Sequence, residues 1–219
     1  MSITAQSVVK RAASILKDKT GVRWPADELV EWLIDFEREL AVFRPDAYAV
    51  VESVALVAGF QQSLPATCAR LIDIPSNGSG TRLPISKVER AELDASAPGW
   101  RAMTASAVIK HFMHDTRTPL KFEVYPPAVA TTPVDVEFSK YPTPLTVPAP
   151  GSDYSSVTGN LTAPDLYANA AVDYVLYRAF SKDSELTVNA DRAARAYKAF
   201  ALAAGIKMPR ERADATKAE

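Results

Sequence analysis

The stretch WPADELVEWLIDFERELAVFRPDA, residues 24–47, combines a helical apolar pattern with many charges, seven carboxylates and two arginines. Bulky apolar side chains recur at steps of three or four residues, which is the spacing of one face of an α-helix. They are Leu29, Trp32, Leu33, Phe36, Leu40 and Phe43. The pattern predicts an amphipathic helix that packs through this face and carries its polar residues on the opposite side.

The carboxylates of this helix raise the question of acid or metal chemistry. Four of them share one face, because residues three and four apart are helical neighbours; they are Glu28, Glu31, Asp35 and Glu39. A di-iron bundle also needs Glu-x-x-His motifs on other helices, and the sequence has none. A surface pair such as Asp35 with Arg38 stabilises a helix by only about 0.2–0.5 kcal/mol. We therefore interpret the segment as a structural helix.

Three further helices are predicted at the two ends of the chain. Residues 4–18 carry an apolar stripe and precede Gly21, which we interpret as the helix terminator. Thr162 and Asp165 have capping-box spacing, which predicts a helix over residues 162–181. A last helix is predicted over residues 186–204, with a stripe of small residues that would let a neighbouring helix approach closely.

The middle of the chain has the composition of strands and turns. Thirteen of the sixteen prolines lie between residues 65 and 164, and proline is disfavoured inside helices. Alternating apolar residues predict strands over residues 53–60, 69–74, 82–88, 120–125 and 134–141. The segment SNGSGT, residues 76–81, is typical of a hairpin turn. The segment ASAVIKHFMHD fits either a strand or a short helix.

These elements together predict an α+β fold. About four helices from the N- and C-terminal segments form a bundle, and the β-rich insertion between them forms an antiparallel, sandwich-like sheet structure. The predicted domains are a discontinuous helical bundle of residues 1–47 and 162–206, and a β-rich insertion of residues 48–161. Residues 207–219 are charged and poor in apolar side chains, which predicts a flexible C-terminal tail.

Net charge, cysteine count and the lack of long apolar runs argue against several classes of protein. The formal net charge of −1 gives no whole-protein field that would attract DNA, RNA or an anionic membrane. Cys68 is the one cysteine, so no internal disulfide can form. The sequence shows neither a signal-peptide pattern nor an apolar run long enough to span a bilayer. We expect a soluble protein in a reducing cytosol.

The sequence contains no convincing catalytic, cofactor-binding or metal site. His111 and His114 form HFMHD with Asp115, but zinc needs at least one further protein ligand. Cys68 lies beside apolar residues and is interpreted as core packing. The glycine-containing segments NGSGT and GSDYSSVTG match neither a phosphate-binding loop nor a hydrolase nucleophile motif. We expect a protein that is not an enzyme and that uses no cofactor.

The order of several motifs resembles a known family. They are RAASILKDKTGVRWPADELVEWLIDFERELAVFRPDA, then LP, LDASAPGW, FEVYPP, LYANAAVDYVLYRAFSKDSE and ADRAARAYKAF. In this order they resemble the head-to-tail adaptor, or connector, proteins of tailed bacteriophages, akin to tail tubular protein A. The resemblance spans nearly the whole chain. Pro25 departs from the Ser or Thr helix cap expected after the tryptophan, although proline is tolerated in a first helical turn.

The resemblance implies a non-enzymatic virion protein of the neck or tail, assembled in the host bacterial cytoplasm. Such adaptors form a ring, usually of twelve copies, between the portal protein and a tail nozzle or tail-tube protein. DNA passes through the ring without specific binding. The resemblance places the portal interface at Ile206, Lys207, Met208, Pro209 and Arg210. Opposed charges on the helix surfaces and the loops of the β-rich insertion would supply the heterologous faces between subunits. On the charged helix we place this interface at Glu31, Asp35, Arg38 and Glu39.

Two alternatives remain open at the level of sequence. One is a metal-dependent hydrolase that uses His111, His114, Asp115 and the helix carboxylates of residues 28–39. The other is a different neck protein, such as a head-completion or stopper protein.

Overall fold

The computed structural model describes residues 2–80, 82–183 and 187–206. In that part of the chain there are five α-helices: α1 (Ala5–Ile15), α2 (Ala26–Phe43), α3 (Arg90–Ser96), α4 (Ala168–Lys182) and α5 (Thr187–Ala203). The strands are β1 (Ser2–Thr4), β2 (Ala49–Ala55), β3 (Gly59–Ser63), β4 (Cys68–Asn77), β5 (Ser86–Lys87), β6 (His111–His114), β7 (Lys121–Ala128), β8 (Pro133–Lys140) and β9 (Asn160–Pro164). The predicted α+β fold class is confirmed.

The chain divides into two compact units. A helical unit comprises residues 1–44 and 142–219, and a β unit comprises the continuous segment 45–141. The segment 142–161, which the sequence analysis assigned to the β-rich insertion, clusters with the helical unit. The proposed tail, residues 207–219, lies outside the described residues.

The helical unit is built around α4, which packs against α1, α2 and α5. Its centre is aromatic: the ring centroid of Phe36 lies 5.9 Å from that of Tyr174 and 6.0 Å from that of Phe200. The apolar face predicted for α2 is buried from Leu29 to Leu40, whereas Phe43 is half exposed. The final turn of α2 therefore leaves the core.

Two local predictions in this unit are wrong. Helix α1 ends at Ile15, and its left-handed terminating residue is Lys17, at φ 58°, rather than Gly21. The backbone N–H of Asp18 closes the turn by donating to the carbonyl of Ala13. Residues 160–164 form strand β9, which pairs with β1, so Thr162 does not cap a helix. Its hydroxyl instead accepts a hydrogen bond from the N–H of Thr143.

The β unit contains two sheets that pack against each other. One is antiparallel with the order β2-β8-β4, and the other has the order β3-β7-β6-β5, in which β5 and β6 are parallel. Their inner faces share one core, exemplified by Leu71 and Phe138 from the first sheet and Phe112 and Val124 from the second. Alternating burial along β7 and β8 matches the period-two pattern of the sequence.

Strand boundaries in the β unit differ from the predictions at two places. The single strand predicted over residues 53–60 is two strands, β2 and β3, which belong to different sheets. The predicted strand 82–88 is reduced to β5 and one bridge between Ser76 and Pro84. The ambiguous histidine segment contains strand β6. Pairing with other strands, which local sequence does not specify, decides each of these outcomes.

Candidate functional site

The charged side chain of Arg44 joins the ends of two helices in the helical unit. Arg44 follows α2, and its Nη1 donates a 2.8 Å hydrogen bond to the carbonyl of Ala204 at the end of α5. Its guanidinium lies 6.0 Å from the ring centroid of Tyr167. Free carbonyls at a helix C-terminus attract cations, so this contact fixes the end of α5 against the end of α2.

Gly205 ends α5 in a left-handed conformation, at φ 67°. The N–H of Gly205 donates to the carbonyl of Leu202, and the N–H of Ile206 donates to the carbonyl of Ala201. This pair of bonds is the Schellman arrangement that closes many helices. A Cβ atom on Gly205 would lie 2.6 Å from Nη1 of Arg44. The glycine is therefore needed both for its backbone angle and for the close approach of Arg44.

We call the residues of this contact (Arg44, Tyr167, Ala204 and Gly205) the exit junction, and exposed apolar side chains lie near them in the sequence. Four of them lie within two residues of a junction member in the sequence; they are Val42, Phe43, Leu166 and Leu202, which are 76%, 48%, 72% and 82% exposed. Grouped apolar side chains on a surface often mark an interaction site. The exit junction is therefore the candidate docking surface of the helical unit.

The residues predicted to contact the portal begin at this junction. Ile206 is half-buried and follows Gly205 directly. Lys207, Met208, Pro209 and Arg210 lie outside the described residues. The structure thus gives the point at which this segment leaves α5.

The residues predicted to contact a neighbouring subunit have different surroundings. Asp35 lies 3.2 Å from Nη2 of Arg178 and 3.6 Å from Nη1 of Arg38, and Glu39 accepts a 3.1 Å hydrogen bond from the hydroxyl of Tyr197. These two carboxylates help to hold α4 and α5 against α2. Glu31 and Arg38 are exposed. Of the four residues predicted for a subunit interface on α2, Glu31 and Arg38 are therefore the two that are exposed to a neighbouring subunit.

Glu37 is the polar residue of α2 that the sequence analysis placed wrongly. It is 1% exposed and lies on the buried side of the helix. Its Oε1 accepts hydrogen bonds from the backbone N–H groups of Thr162, at 2.5 Å, and Ala163, at 2.9 Å. Burial raises the pKa of Glu37 to about 7, against the lowering effect of these bonds. The carboxyl thereby fastens strand β9 to α2.

The sequence RW before α2 is held by a polar loop. The carboxylate of Asp18 accepts four backbone N–H bonds, from residues 21 to 24. Desolvation, the largest single influence, raises the pKa of Asp18, but the four bonds together hold it below its ordinary value. The hydroxyl of Tyr154 donates a 2.7 Å bond to the carbonyl of Trp24. The conformation before α2 is therefore fixed by backbone contacts.

The motifs LDASAPGW and YPP meet in the β unit. Trp100 is fully buried, and its ring centroid lies 5.5 Å from that of Phe60 and 6.3 Å from that of Tyr125. Its Nε1 donates a 2.8 Å bond to Asp94. The YPP segment is part of β7, opposite a register shift in β3. Both motifs thus have packing roles here.

His111 and His114 do not lie side by side, as they would on one face of a helix. His111 and His114 are three apart on strand β6, so their side chains point to opposite faces of the sheet. His111 stacks on Tyr125, and Nε2 of His114 lies 3.3 Å from the carbonyl of Pro119. Within residues 2–80, 82–183 and 187–206, no three His, Cys, Asp or Glu side chains are grouped to hold a metal ion.

Two other sequence features are located by the structure. Cys68 is fully buried in the core of the β unit, and desolvation raises the pKa of its thiol. Among the described helices, none is both long and apolar enough to cross a bilayer.

Arg44 and Glu37 are the residues of this region that sequence reasoning missed. The motif RPDA, residues 44–47, lies at the exit of α2, but a cation that caps a different helix needs a tertiary contact. Glu37 carries one detectable signal, because it falls next to Phe36 and four residues after Leu33 on the predicted apolar face.

Comparison with known proteins agrees with the order of the sequence motifs. A family profile described as SU10 adaptor protein matches residues 3–218. A search of curated proteins finds no match. Because the profile covers nearly the whole chain, the protein belongs to the SU10 adaptor protein family and is a structural adaptor protein of a bacteriophage.

Proposed function

We propose that this protein is the head-to-tail adaptor that forms a ring between the portal and the tail. The ring contains twelve copies in the virion neck, binds the portal on one side and a nozzle or tail-tube protein on the other, and surrounds the DNA passage. It assembles in the host bacterial cytoplasm. The near-zero net charge suits this role, since tight DNA binding depends on neutralising phosphates with cations.

The exit junction is the observation that best supports the proposal. A Schellman closure and Arg44 fix the direction in which the chain leaves α5. Four exposed apolar side chains lie within two residues of a junction member in the sequence, and the segment that follows carries four Lys or Arg and three carboxylates. We propose that the portal contacts both features, with its apolar surface on Val42, Phe43, Leu166 and Leu202 and its carboxylates near Lys207 and Arg210.

The direct test is to mix the purified protein with its portal and measure the mass and the appearance of the product. We expect a ring of this protein on one end of the portal ring in electron micrographs. Portal that binds this chain no better than an unrelated protein would refute the proposal. A copy number that matches the portal favours an adaptor, whereas a different ratio favours a head-completion or stopper protein.

Truncation after Ile206 tests the part assigned to the C-terminal segment. The truncated chain keeps the N–H of Ile206 that closes α5, so we expect the same melting temperature and the same circular dichroism as the full chain. We expect its affinity for the portal to fall at least about tenfold, or about 1.4 kcal/mol. Undiminished portal binding would remove these residues from the interface.

Val42→Ser and Leu202→Ser, made together, test the apolar part of the exit junction. Both side chains are mainly exposed, so the fold should be retained while portal binding weakens. A matched control is Val22→Ser, because Val22 is 87% exposed and belongs to the loop before α2. We expect that control to bind the portal normally.

A further inference from the structure

Helix α5 has one face whose side chains are exposed in the described part of the chain. Its opposite side is buried through Ala193, Phe200 and Ala201. At 100° per residue, seven of the exposed positions fall within a stripe of about 120°. They are Val188, Asp191, Arg192, Arg195, Lys198, Ala199 and Leu202, which we call the outward face of α5.

The outward face of α5 is basic in its middle and apolar at its ends. It carries three cations and one carboxylate. Val188 is 59% and Leu202 is 82% exposed. Arg192 lies over the ring of Phe180, at 5.8 Å from its centroid. Among the described residues, no ion pair joins Arg195 or Lys198 to a carboxylate.

The outer face of the sheet β2-β8-β4 carries acidic and apolar side chains, which complement the basic and apolar side chains of the outward face of α5. On β8, Val134, Val136 and Phe138 are fully buried, so Asp135 and Glu137 lie on the outer side. Glu137 stands between Val51 on β2 and Asp73 on β4 in the pairing register. A row of one apolar and two acidic side chains therefore crosses the three strands.

Asp73 and Glu137 are like-charged partners on neighbouring strands, at a point where the pairing register of β4 shifts on both sides of Asp73. Such pairs destabilise a sheet. Oδ1 of Asp73 accepts a 2.8 Å hydrogen bond from the backbone N–H of Ile74, but neither carboxylate has an ion-pair partner among the described residues. Asp135, by contrast, accepts from Ser76 at 2.8 Å and lies 3.5 Å from Arg82. An incoming pair of cations would relieve the repulsion between Asp73 and Glu137.

The two faces also match in spacing. Along α5, Arg195 and Lys198 are separated by a rise of about 4.5 Å. Adjacent strands lie about 4.8 Å apart. A helix that crosses the strands can therefore set Arg195 and Lys198 against Asp73 and Glu137 respectively. Arg70, on the outer side opposite Ser139, is the nearby cation that such a helix must avoid.

We propose that the outward face of α5 docks on the outer face of the β2-β8-β4 sheet of a second copy of this chain. The proposal rests on the proposed ring function, for which it names the two contacting surfaces. The contact is heterologous, because one face meets a different face of the neighbour, and repetition of such a contact closes a ring. The acidic sheet face also disfavours DNA as its occupant, since phosphates would be repelled.

A cysteine cross-link between two variants tests the contact directly. One preparation carries Glu137→Cys and the other Lys198→Cys, and they are mixed with portal and oxidised. Because each chain has one introduced cysteine and Cys68 is fully buried, a dimer of the two variants can form only across copies. We expect this mixed dimer as the main product. Its absence from rings that have formed would overturn the proposal.

Charge exchange provides a second, independent test. We expect Arg195→Glu with Lys198→Glu to raise the concentration needed for half-maximal ring assembly at least about tenfold. Asp73→Asn with Glu137→Gln should weaken assembly while it raises the melting temperature, because it removes the repulsion within the sheet. Asp73→Lys with Glu137→Lys should restore assembly when it is combined with Arg195→Glu and Lys198→Glu.

The matched control is Lys19→Glu with Lys121→Glu, which changes the net charge by the same amount at exposed sites elsewhere. We expect it to assemble as the wild type does. Wild-type protein that forms no ring on the portal refutes the proposed function itself. Rings that form normally from every variant refute only the assignment of these two faces.

Discussion

At the scale of single residues, Glu37 is a buried carboxylate in the helical unit. Its side chain is 1% exposed, and it accepts two backbone hydrogen bonds from strand β9. Removal of a carboxylate from water disfavours its charged form, and desolvation is the main cause of its raised pKa. The fold therefore binds a proton at Glu37 more tightly than the unfolded chain does.

This proton linkage predicts a pH-dependent stability. Because the folded pKa is about 7, above the ordinary value of 4.5, the stabilisation is complete below about pH 4.5 and is lost as pH rises to about 7. Glu37→Gln keeps an acceptor for Thr162 and Ala163 without the charge. Between pH 5 and pH 8 we expect this variant to gain on the order of 2 kcal/mol in unfolding free energy relative to wild type.

Urea unfolding at several pH values measures that difference. Glu31→Gln on the exposed side of α2 is the matched control and should show no such gain. A difference between Glu37→Gln and wild type that stays constant with pH would contradict the proposed linkage.

At the scale of elements, the end of α5 depends on one glycine and one arginine. Gly205 has a positive φ, and a Cβ there would meet Nη1 of Arg44 at 2.6 Å. Gly151 has a similar angle, φ 79°, but open space around it. The two glycines therefore separate the effect of backbone conformation from the effect of the contact with Arg44.

We expect Gly151→Ala to destabilise the fold by about 1 kcal/mol, which is the backbone term alone. Gly205→Ala should lower the unfolding free energy further, by roughly another 1 kcal/mol, because it also displaces Arg44 from the carbonyl of Ala204. Chemical denaturation measures both. In an Arg44→Ala background the two glycine substitutions should have nearly equal effects; an unchanged gap between them would show that Arg44 is not the cause.

At the scale of the whole molecule, the β unit is one continuous segment with a core of its own. The buried cluster between its two sheets uses only residues from that segment. Its last residue, Tyr141, donates a backbone hydrogen bond to Thr67 within the same unit. A continuous segment that has its own core, and whose last residue is hydrogen-bonded within the segment, has the properties of an independent folding unit.

We therefore expect residues 45–141, expressed alone, to fold and to unfold cooperatively on heating. Trp100 is the one tryptophan of this segment and is fully buried beside Phe60, so its fluorescence reports folding. Phe138→Ala in the same segment is the destabilised reference, since loss of a buried phenylalanine costs about 3–5 kcal/mol. An emission spectrum of exposed tryptophan and a gradual melt in the parent segment would contradict this expectation.

The sequence by itself determined the elements whose signals are local. The apolar spacing of α2, the alternation along β7 and β8, and the last helix predicted over residues 186–204 all follow from residues a few positions apart. The order of these elements also indicated the family that the profile match shows.

The tertiary structure alone decided what depends on distant partners. Thr162 and Asp165 satisfy the spacing of a capping box, yet the chain is a strand there because β1 pairs with it and Glu37 accepts its N–H groups. Arg44 caps α5 across 160 residues. The physical reason is the same in each case. A hydrogen bond to a backbone group is strongest where the fold shields it from water, and the residue that provides the partner is distant in the sequence.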